Sequence, residues 1–117
     1  MVEKPLIWVG TSLDDVRKFP AEARRIIGHQ LHRIQQGVSP HDWKSMASVL
    51  PGVYELRVRT RVDNRVFYIA KFEEAVYVLH AFQKRGRRTR RSDLALARER
   101  LVQVQRLRGE SLKGRRL

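Results

Sequence analysis

No cysteine occurs in the sequence, and this absence excludes disulfide bonds, a thiol nucleophile and a zinc site with cysteine ligands. Chains without cysteine suit a reducing compartment, so we expect a cytoplasmic protein. Long hydrophobic runs are also missing. The apolar stretch PLIWVG near the N-terminus is too short for a signal-peptide core or a membrane span. We therefore expect no membrane partner.

The common catalytic motifs are absent as well. The chain has no phosphate-binding glycine loop, no HExxH zinc motif and no GxSxG nucleophile motif. His29 and His32 could share a helix face, and His41 follows them, but no carboxylate cluster completes a metal site. We expect neither a metal ion nor a cofactor.

Acidic residues are scarce, because 12 Asp and Glu stand against 25 Lys and Arg, for a net charge of +13. The excess is uneven: residues 84–117 contain 13 of the cationic residues and only 3 acidic ones. Charge of one sign at this density repels itself unless a polyanion neutralises it. We therefore expect a nucleic acid, the ribosome or an acidic protein as the partner.

The stretch from Tyr54 to Arg91 predicts short antiparallel strands that lead into a cationic segment. In YELRVR apolar and charged residues alternate, which is typical of a strand with one apolar and one charged face. Asp63 and Asn64 indicate a turn, and two glutamates interrupt the next apolar run. The predicted strands cover residues 54–59, 65–70 and 75–82, and residues 5–10 form an earlier strand that joins the sheet.

Helical spacing of apolar residues predicts helices on both sides of this sheet sequence. A short helix over residues 13–19 follows a capping Ser12, and a second runs from residue 20 to 36 with Gly37 after its end. Residues 38–52 form a connection, and a last helix covers residues 93–108. We expect an α+β fold in which the helical hairpin packs on one face of a small, curved antiparallel sheet. Residues 1–109 form one domain, and residues 110–117 form a flexible basic tail.

Arginines are the best candidates for chemistry. Arg57 and Arg59 share a strand face, and Arg65 lies across the predicted turn, so strand pairing would bring them together. Guanidinium groups bind phosphate oxygens and stabilise the extra charge of a pentacoordinate phosphorus. The alternative is that these arginines pair with acidic neighbours, namely Glu55, Asp63 or Glu73.

His80 has two possible roles. It is two residues from Val78 and from Phe82 and so should face the side they face. It is either a general base or a packed core histidine.

Four segments resemble the HigB-like toxins, including phage-derived members, of the RelE/ParE superfamily. The segments are YELR (54–57), NRVFY (64–68), LHAFQKR (79–85) and LALARERL (94–101). The resemblance implies a helical hairpin on a small antiparallel sheet. One departure is that relatives often carry a Lys-Thr-x-Lys-Thr-Pro-like segment after the last strand, where this chain has GRRTR.

The resemblance also implies a function. RelE-type toxins cut mRNA in the ribosomal A site without a metal ion, and ParE-type toxins inhibit DNA gyrase. A cognate helix-turn-helix (HigA-like) antitoxin inactivates the toxin, and the complex represses its own operon. The implied partners are therefore this antitoxin, the ribosome and mRNA, with operator DNA contacted only through the complex. A non-catalytic basic nucleic-acid-binding protein is a further alternative.

By position, the resemblance implies basic site residues at Arg57, Arg65, Lys84 and Arg85, with Arg59 as a supporting candidate. The ribose 2′-OH attacks the adjacent phosphate and leaves a 2′,3′-cyclic phosphate. The proton carrier is His80, Glu55 or the ribosome, and the Arg65→Ala variant should be folded but not toxic. We therefore expect the catalytic residues to be Arg57, Arg65, His80 and Arg85, and the RNA-binding residues to be Arg59, Lys84, Arg87 and Arg88.

Overall fold

Five strands and three helices make up the chain in the computed structural model, which describes residues 3–114 and side chains as far as residue 109. The strands follow the order β1-β5-β4-β3-β2, with β1 parallel to β5 and the other pairs antiparallel. The predicted α+β fold is confirmed. The elements are β1 (Leu6–Trp8), α1 (Ser12–Arg17), α2 (Ala21–Gln35), β2 (Trp43–Ser45), β3 (Tyr54–Arg59), β4 (Asp63–Ile69), β5 (Val76–Lys84) and α3 (Arg91–Gly114).

Helices cover both faces of the sheet. On one face, α1 and α2 pack on β3, β4 and β5 through a core that includes Ile27, Leu31, Leu56, Val66 and Val78. On the opposite face, α3 packs on β4 and β5 together with the loop before β3. Because β4 and β5 are buried on both sides, they are apolar along most of their length. The second core includes Leu50, Phe67, Leu79, Ala97 and Val104.

The α1–α2 hairpin lies close to its predicted position. The prediction that Ser12 caps α1 is wrong, because Ser12 is the first residue of the helix. Its buried hydroxyl donates to the carbonyl of Val78 at 3.0 Å. At the end of α2 the amide of Gly37 donates to Ile34, and that of Val38 donates to Arg33, which is the Schellman pattern. Gly37 has φ +79°, so the predicted glycine after the helix is confirmed.

The predicted turn at Asp63 and Asn64 is wrong, because both residues already belong to β4. The bend lies at residues 60–62. The buried side-chain amide of Asn64 donates to the carbonyl of Val58 at 2.9 Å and to Thr60 Oγ1 at 3.2 Å. Asn64 therefore holds the turn through its side chain and contributes its backbone to the strand.

Two boundaries differ from the prediction. The connection over residues 38–52 contains β2, whose three residues are all exposed and carry no apolar alternation. The last helix continues through Gly109 to Gly114, because one glycine inside a helix costs only about 1 kcal/mol. The last three residues of the predicted tail lie outside the described residues. No helix within residues 3–114 has both the length and the hydropathy to cross a membrane.

A cluster around Glu74 attaches α3 to the β4–β5 turn. Arg108 Nε donates to Glu74 Oε2 at 2.8 Å, and its guanidinium lies 3.5 Å from the centre of the Phe72 ring. The Tyr77 hydroxyl donates to the same carboxylate at 2.9 Å. The hydrogen bond from Arg108 is the main cause that lowers the pKa of Glu74 from 4.5 to about 2.

Two glycines of the α2 region should respond oppositely to the same substitution. A Cβ at Gly37 or at Gly28 would have no neighbour within 4 Å, so only the backbone decides the effect. Gly37→Ala should lower the free energy of unfolding by about 1 kcal/mol, because φ is positive there. Gly28→Ala, inside the helix, should raise it by roughly 0.5–1 kcal/mol. Urea unfolding measures both, and changes of the same sign would contradict the helix end described here.

Acid should weaken the Glu74 cluster. Because the pKa of folded Glu74 lies below 4.5, its stabilisation is present above that pH and is lost as the pH falls toward about 2. Glu74→Gln should therefore destabilise the protein at neutral pH and make no difference near pH 2, by urea unfolding across this range. Arg108→Gln should give the same profile. A destabilisation independent of pH would show that the ion pair is not its cause.

Candidate nucleic-acid interface

Strand register gathers the predicted arginines at one end of the sheet. Arg57 lies opposite Arg65, and Arg59 lies opposite Asp63, which in turn lies opposite Lys84. Alternate residues of a strand point to the same face, so these side chains all lie on the α3 side of the sheet. The prediction that pairing brings the strand arginines together is therefore confirmed.

One buried carboxylate holds two of these arginines. Glu55 Oε1 accepts from Arg57 Nε at 3.0 Å and from Arg65 Nη1 at 2.8 Å. Arg65 is only 3% exposed, and its Nη2 lies 3.6 Å from Asp63 Oδ2. Binding of a phosphate by Arg65 would require an accessible guanidinium group, and that of Arg65 is buried. Arg65 instead pairs with Glu55 and Asp63, as the alternative prediction stated.

Arg57 and Arg59 are reachable from solvent to different degrees. The side chain of Arg57 is 23% exposed, and no partner of its Nη1 or Nη2 occurs among the described residues. Arg59 is 62% exposed and lies 3.6 Å from Asp63 and 3.9 Å from Asp42. Exposed pairs at such distances contribute little and open readily. Both guanidinium groups are therefore available to an anion.

The densest positive charge lies between β5 and α3. Residues 84–91 contain six cationic residues and no acidic one. Lys84 is half-buried, the arginines at 85, 87 and 88 are exposed, and none of these four forms an ion pair with any residue in the described part of the chain. In the strand register Lys84 lies opposite Asp63, and Asp63 lies opposite Arg59, so this loop begins at the same end of the sheet as Arg59. We call Arg57, Arg59, Lys84, Arg85, Arg87 and Arg88 the cationic surface.

A β-bulge changes the direction of His80. The register shifts between Phe67 and Tyr68, whose partners are His80 and Val78. The residue between them, Leu79, therefore shares the α3 face with His80, and Val78 points to the other face. His80 does stack on Phe82, with ring centroids 5.3 Å apart. The prediction that His80 faces the same side as Val78 is wrong.

His80 is buried and engaged at both ring nitrogens. Nε2 lies 2.7 Å from Asp93 Oδ1 and Nδ1 lies 3.3 Å from Arg100 Nη1, and the residue is 5% exposed. Arginine has no acceptor, so Nδ1 must accept and Nε2 must donate to Asp93. Arg100 also donates to the carbonyl of Leu79 and to Thr11 Oγ1, both at 2.9 Å. The network attaches α3 to the sheet, and a general-base role for His80 requires one of these contacts to open.

Two residues that organise this region, Glu55 and Arg100, are missing from the predicted site. The sequence predicted Glu55 only as a possible ion-pair partner of the arginines or as a possible proton carrier. Arg100 lies in the apolar stripe of α3, three residues after Ala97 and four before Val104, and this position predicts that it faces inward. The signal for Arg100 was thus present, whereas the partners of Glu55 follow only from the strand register.

Metal-binding geometry is not found in the described residues, which contain no group of three or more His, Asp or Glu placed to hold an ion. His41 Nδ1 lies 3.1 Å from Gln30 Nε2, and His32 Nδ1 lies 2.8 Å from Glu3 Oε1. These histidines therefore have local partners.

Comparison with known proteins gives one result. The family described as "Phage derived protein Gp49-like (DUF891)" matches residues 14–102, which extend from α1 into α3. The match includes Glu55, every residue of the cationic surface and the His80 network apart from Thr11. No curated protein and no solved structure matches the chain.

Three arginines of β3 and β4 should affect stability in the order of their burial. Arg65→Ala should lower the free energy of unfolding by about 3 kcal/mol or more, because it breaks a buried ion pair. Arg57→Ala should cost about 1 kcal/mol, and the exposed Arg59→Ala less than about 0.5 kcal/mol. Urea unfolding compares them. If Arg65→Ala costs no more than Arg59→Ala, the buried Glu55–Arg65 pair does not stabilise the fold.

Proposed function

Because the chain belongs to the Gp49-like family of phage-derived proteins, a family associated with RelE- and HigB-type toxins, we propose that it is the toxin of a toxin–antitoxin system. Its proposed activity is ribosome-dependent cleavage of mRNA without a metal ion. The observation that carries the proposal is the cationic surface, where basic side chains with no ion-pair partner among the described residues lie at the same end of the sheet as an arginine fixed by a buried carboxylate. Such a surface fits a phosphodiester backbone.

Arg57 is the best-prepared phosphate ligand of the chain. Glu55 holds its Nε, so the two terminal nitrogens form a fork with a fixed direction. A guanidinium fork binds two phosphate oxygens at once, and its charge gains strength as the phosphorus acquires extra negative charge. In the proposal Arg57 and Arg85 stabilise this charge, and Lys84 orients the backbone. Arg65 acts indirectly, by positioning Glu55 and through it Arg57.

The proposed reaction is a transesterification within the RNA. The 2′-oxygen bonds to the adjacent phosphorus, the bond from phosphorus to the 5′-oxygen breaks, and the products are a 2′,3′-cyclic phosphate and a 5′-hydroxyl. One proton leaves the 2′-OH and one reaches the 5′-oxygen. His80 and Glu55 are buried and hydrogen-bonded, so the proposal assigns these transfers to groups of the ribosome complex. Cleavage would therefore depend on the ribosome, because the ribosome complex would supply the groups that carry the protons.

The remaining parts of the proposal concern partners. A cognate helix-turn-helix antitoxin would inactivate the protein in the cytoplasm, and operator DNA would be contacted only through that complex. An acidic antitoxin segment on the cationic surface would relieve self-repulsion in a chain of net charge +13.

Induction of the chain without an antitoxin should stop growth and produce new 5′-hydroxyl ends in a translated reporter mRNA. The same mRNA without its start codon should remain intact. Arg57→Ala, and the double change of Lys84 and Arg85 to Ala, should each reduce cleavage about 10²–10³-fold, since each removes charge stabilisation at the reacting phosphate. Arg65→Ala is a poor probe, because it should also destabilise the fold.

A matched control removes the same charge elsewhere. Arg24 and Arg25 are exposed on α2, across the sheet from the cationic surface, so changing both to Ala should leave cleavage unchanged. Equal losses in this control would indicate general attraction to RNA. Intact mRNA together with a DNA-damage response would favour gyrase as the target.

A further inference from the structure

The edge strand β2 has backbone groups that face away from the sheet. The amide of Arg57 donates to the carbonyl of Asp42 at 3.0 Å, and the amide of Met46 donates to Val53 at 2.9 Å. In an antiparallel pair every second residue bonds to the neighbouring strand. The N–H and C=O groups of the intervening Trp43 and Ser45 therefore point away from β3, and a further strand could pair with them.

An aromatic cavity of about 240 Å³ lies beside this edge, on the α2 side of the sheet. The Trp43 ring packs edge-on against Tyr54, with centroids 5.4 Å apart, and Tyr54 stacks on Tyr68 at 5.9 Å. Ile34, Val38 and Pro40 complete its apolar wall. Trp43 is 45% exposed and Val38 is 44% exposed, so two large apolar side chains lie at the mouth of the cavity, together with the exposed Ser39. Its size and lining suit one large apolar side chain.

Positive charge lies on the other face of the same edge. Lys44 points to the face opposite Trp43, lies opposite Glu55 in the register, and is exposed. Arg57 and Arg59 follow on the same face of β3. A strand added beside β2 would alternate in the same way. Its side chains toward α2 would meet the cavity, and those between them would meet the cations.

We propose that β2 and the adjoining cavity form a docking site for an extended acidic segment of a partner protein. One apolar side chain of the segment fills the cavity, and the neighbouring side chains are Asp or Glu. The segment adds to the sheet edge through the backbone of Trp43 and Ser45, which is strand addition with a side-chain anchor. A second copy of this chain is disfavoured as the occupant, because each copy carries a net charge of +13.

RNA fits this site less well than it fits the cationic surface. The Nζ of Lys4, which lines the cavity, already donates to the carbonyl of Ala70 at 2.7 Å. Lys4 is the one cation among the described residues that line the cavity, so a nucleotide bound there would leave most of its phosphate charge without a cationic partner. An apolar amino-acid side chain needs no such partner. The cavity is therefore separate from the proposed nuclease activity, and the segment would share with that activity only the cations Arg57 and Arg59.

Trp43 can report on binding directly. The chain has two tryptophans, so Trp8→Phe in the full-length protein leaves Trp43 as the sole indole. The probe is the peptide acetyl-Glu-Glu-Leu-Glu-Phe-Glu-Glu-amide, in which Leu and Phe share one face of an extended chain. We expect a saturable change in Trp43 emission, with amide shifts in heteronuclear NMR spectra concentrated at residues 38–46. The same peptide with Ser at both apolar positions should bind at least about 10-fold more weakly.

Two protein variants separate the parts of the site. Ser45→Pro removes an outward N–H and leaves the bonds between β2 and β3 in place, so it should weaken binding about 10-fold with little change in unfolding. Lys44→Glu should weaken binding of the acidic peptide to a similar degree, because the new carboxylate would repel the glutamates of the peptide. Both variants are checked by circular dichroism and urea unfolding. The charge-matched control is Lys18→Glu, because Lys18 is exposed and follows α1, which packs on β5, and β4 and β3 lie between β5 and β2.

Several outcomes would overturn the proposal. They are amide shifts confined to residues 84–91, equal binding of the Ser-containing peptide, and no response of Trp43 at millimolar peptide. A single-stranded RNA that produced the same Trp43 change would assign the cavity to nucleic acid. Concentration-dependent dimerisation that buries Trp43 without peptide would assign it to a second copy.

Discussion

The Glu55 carboxylate, shared by two guanidinium groups inside the domain, is the interaction on which this end of the sheet depends. Burying any one of the three charges alone would be costly, so each requires the others. Arg65 Nε has no hydrogen-bond partner among the described residues, and this unsatisfied donor adds to the cost of its burial. This burial has a structural effect, because the buried Glu55–Arg65 pair fixes the direction in which half-buried Arg57 presents its Nη1 and Nη2.

The contacts that attach α3 are polar as well as apolar, and they connect the two halves of the fold. Arg100 reaches through the core to Thr11, at the start of α1, and also contacts His80. At the other end of α3, Arg108 binds Glu74. Since α3 begins where the basic loop ends, these contacts also fix one end of that loop. The position of the cationic surface therefore depends on the same buried groups that hold the helices on the sheet.

Local patterns were sufficient to predict every helix and every strand except β2, but they did not predict which side chains pair with one another. The stripe that contains Ala97, Leu101 and Val104 fixed the buried side of α3, and β-branched residues located β4 and β5. Period-two counting failed at His80 because a bulge adds a residue that no alternation reveals. Asparagine is typical of turns, and the side chain of Asn64 does hold the turn, but its backbone belongs to the strand. Arg65 could be assigned to solvent or to Glu55 only after the register was known.

Burial of both sheet faces restricts where this small domain can meet other molecules. The helices that cover the faces also carry exposed side chains, such as Arg24 on α2 and Val102 on α3. The sheet itself reaches solvent at one end and along the β2 edge, and the surfaces at these two places differ in chemistry. The cationic surface carries arginine and lysine on the α3 side, whereas the cavity beside Trp43 is aromatic and opens on the α2 side. A polyanion on the first surface would leave the second uncovered, because β3 and β2 separate them. A partner that covered both would have to wrap the β2 edge, and there Lys44 and Arg59 would favour acidic residues along its path.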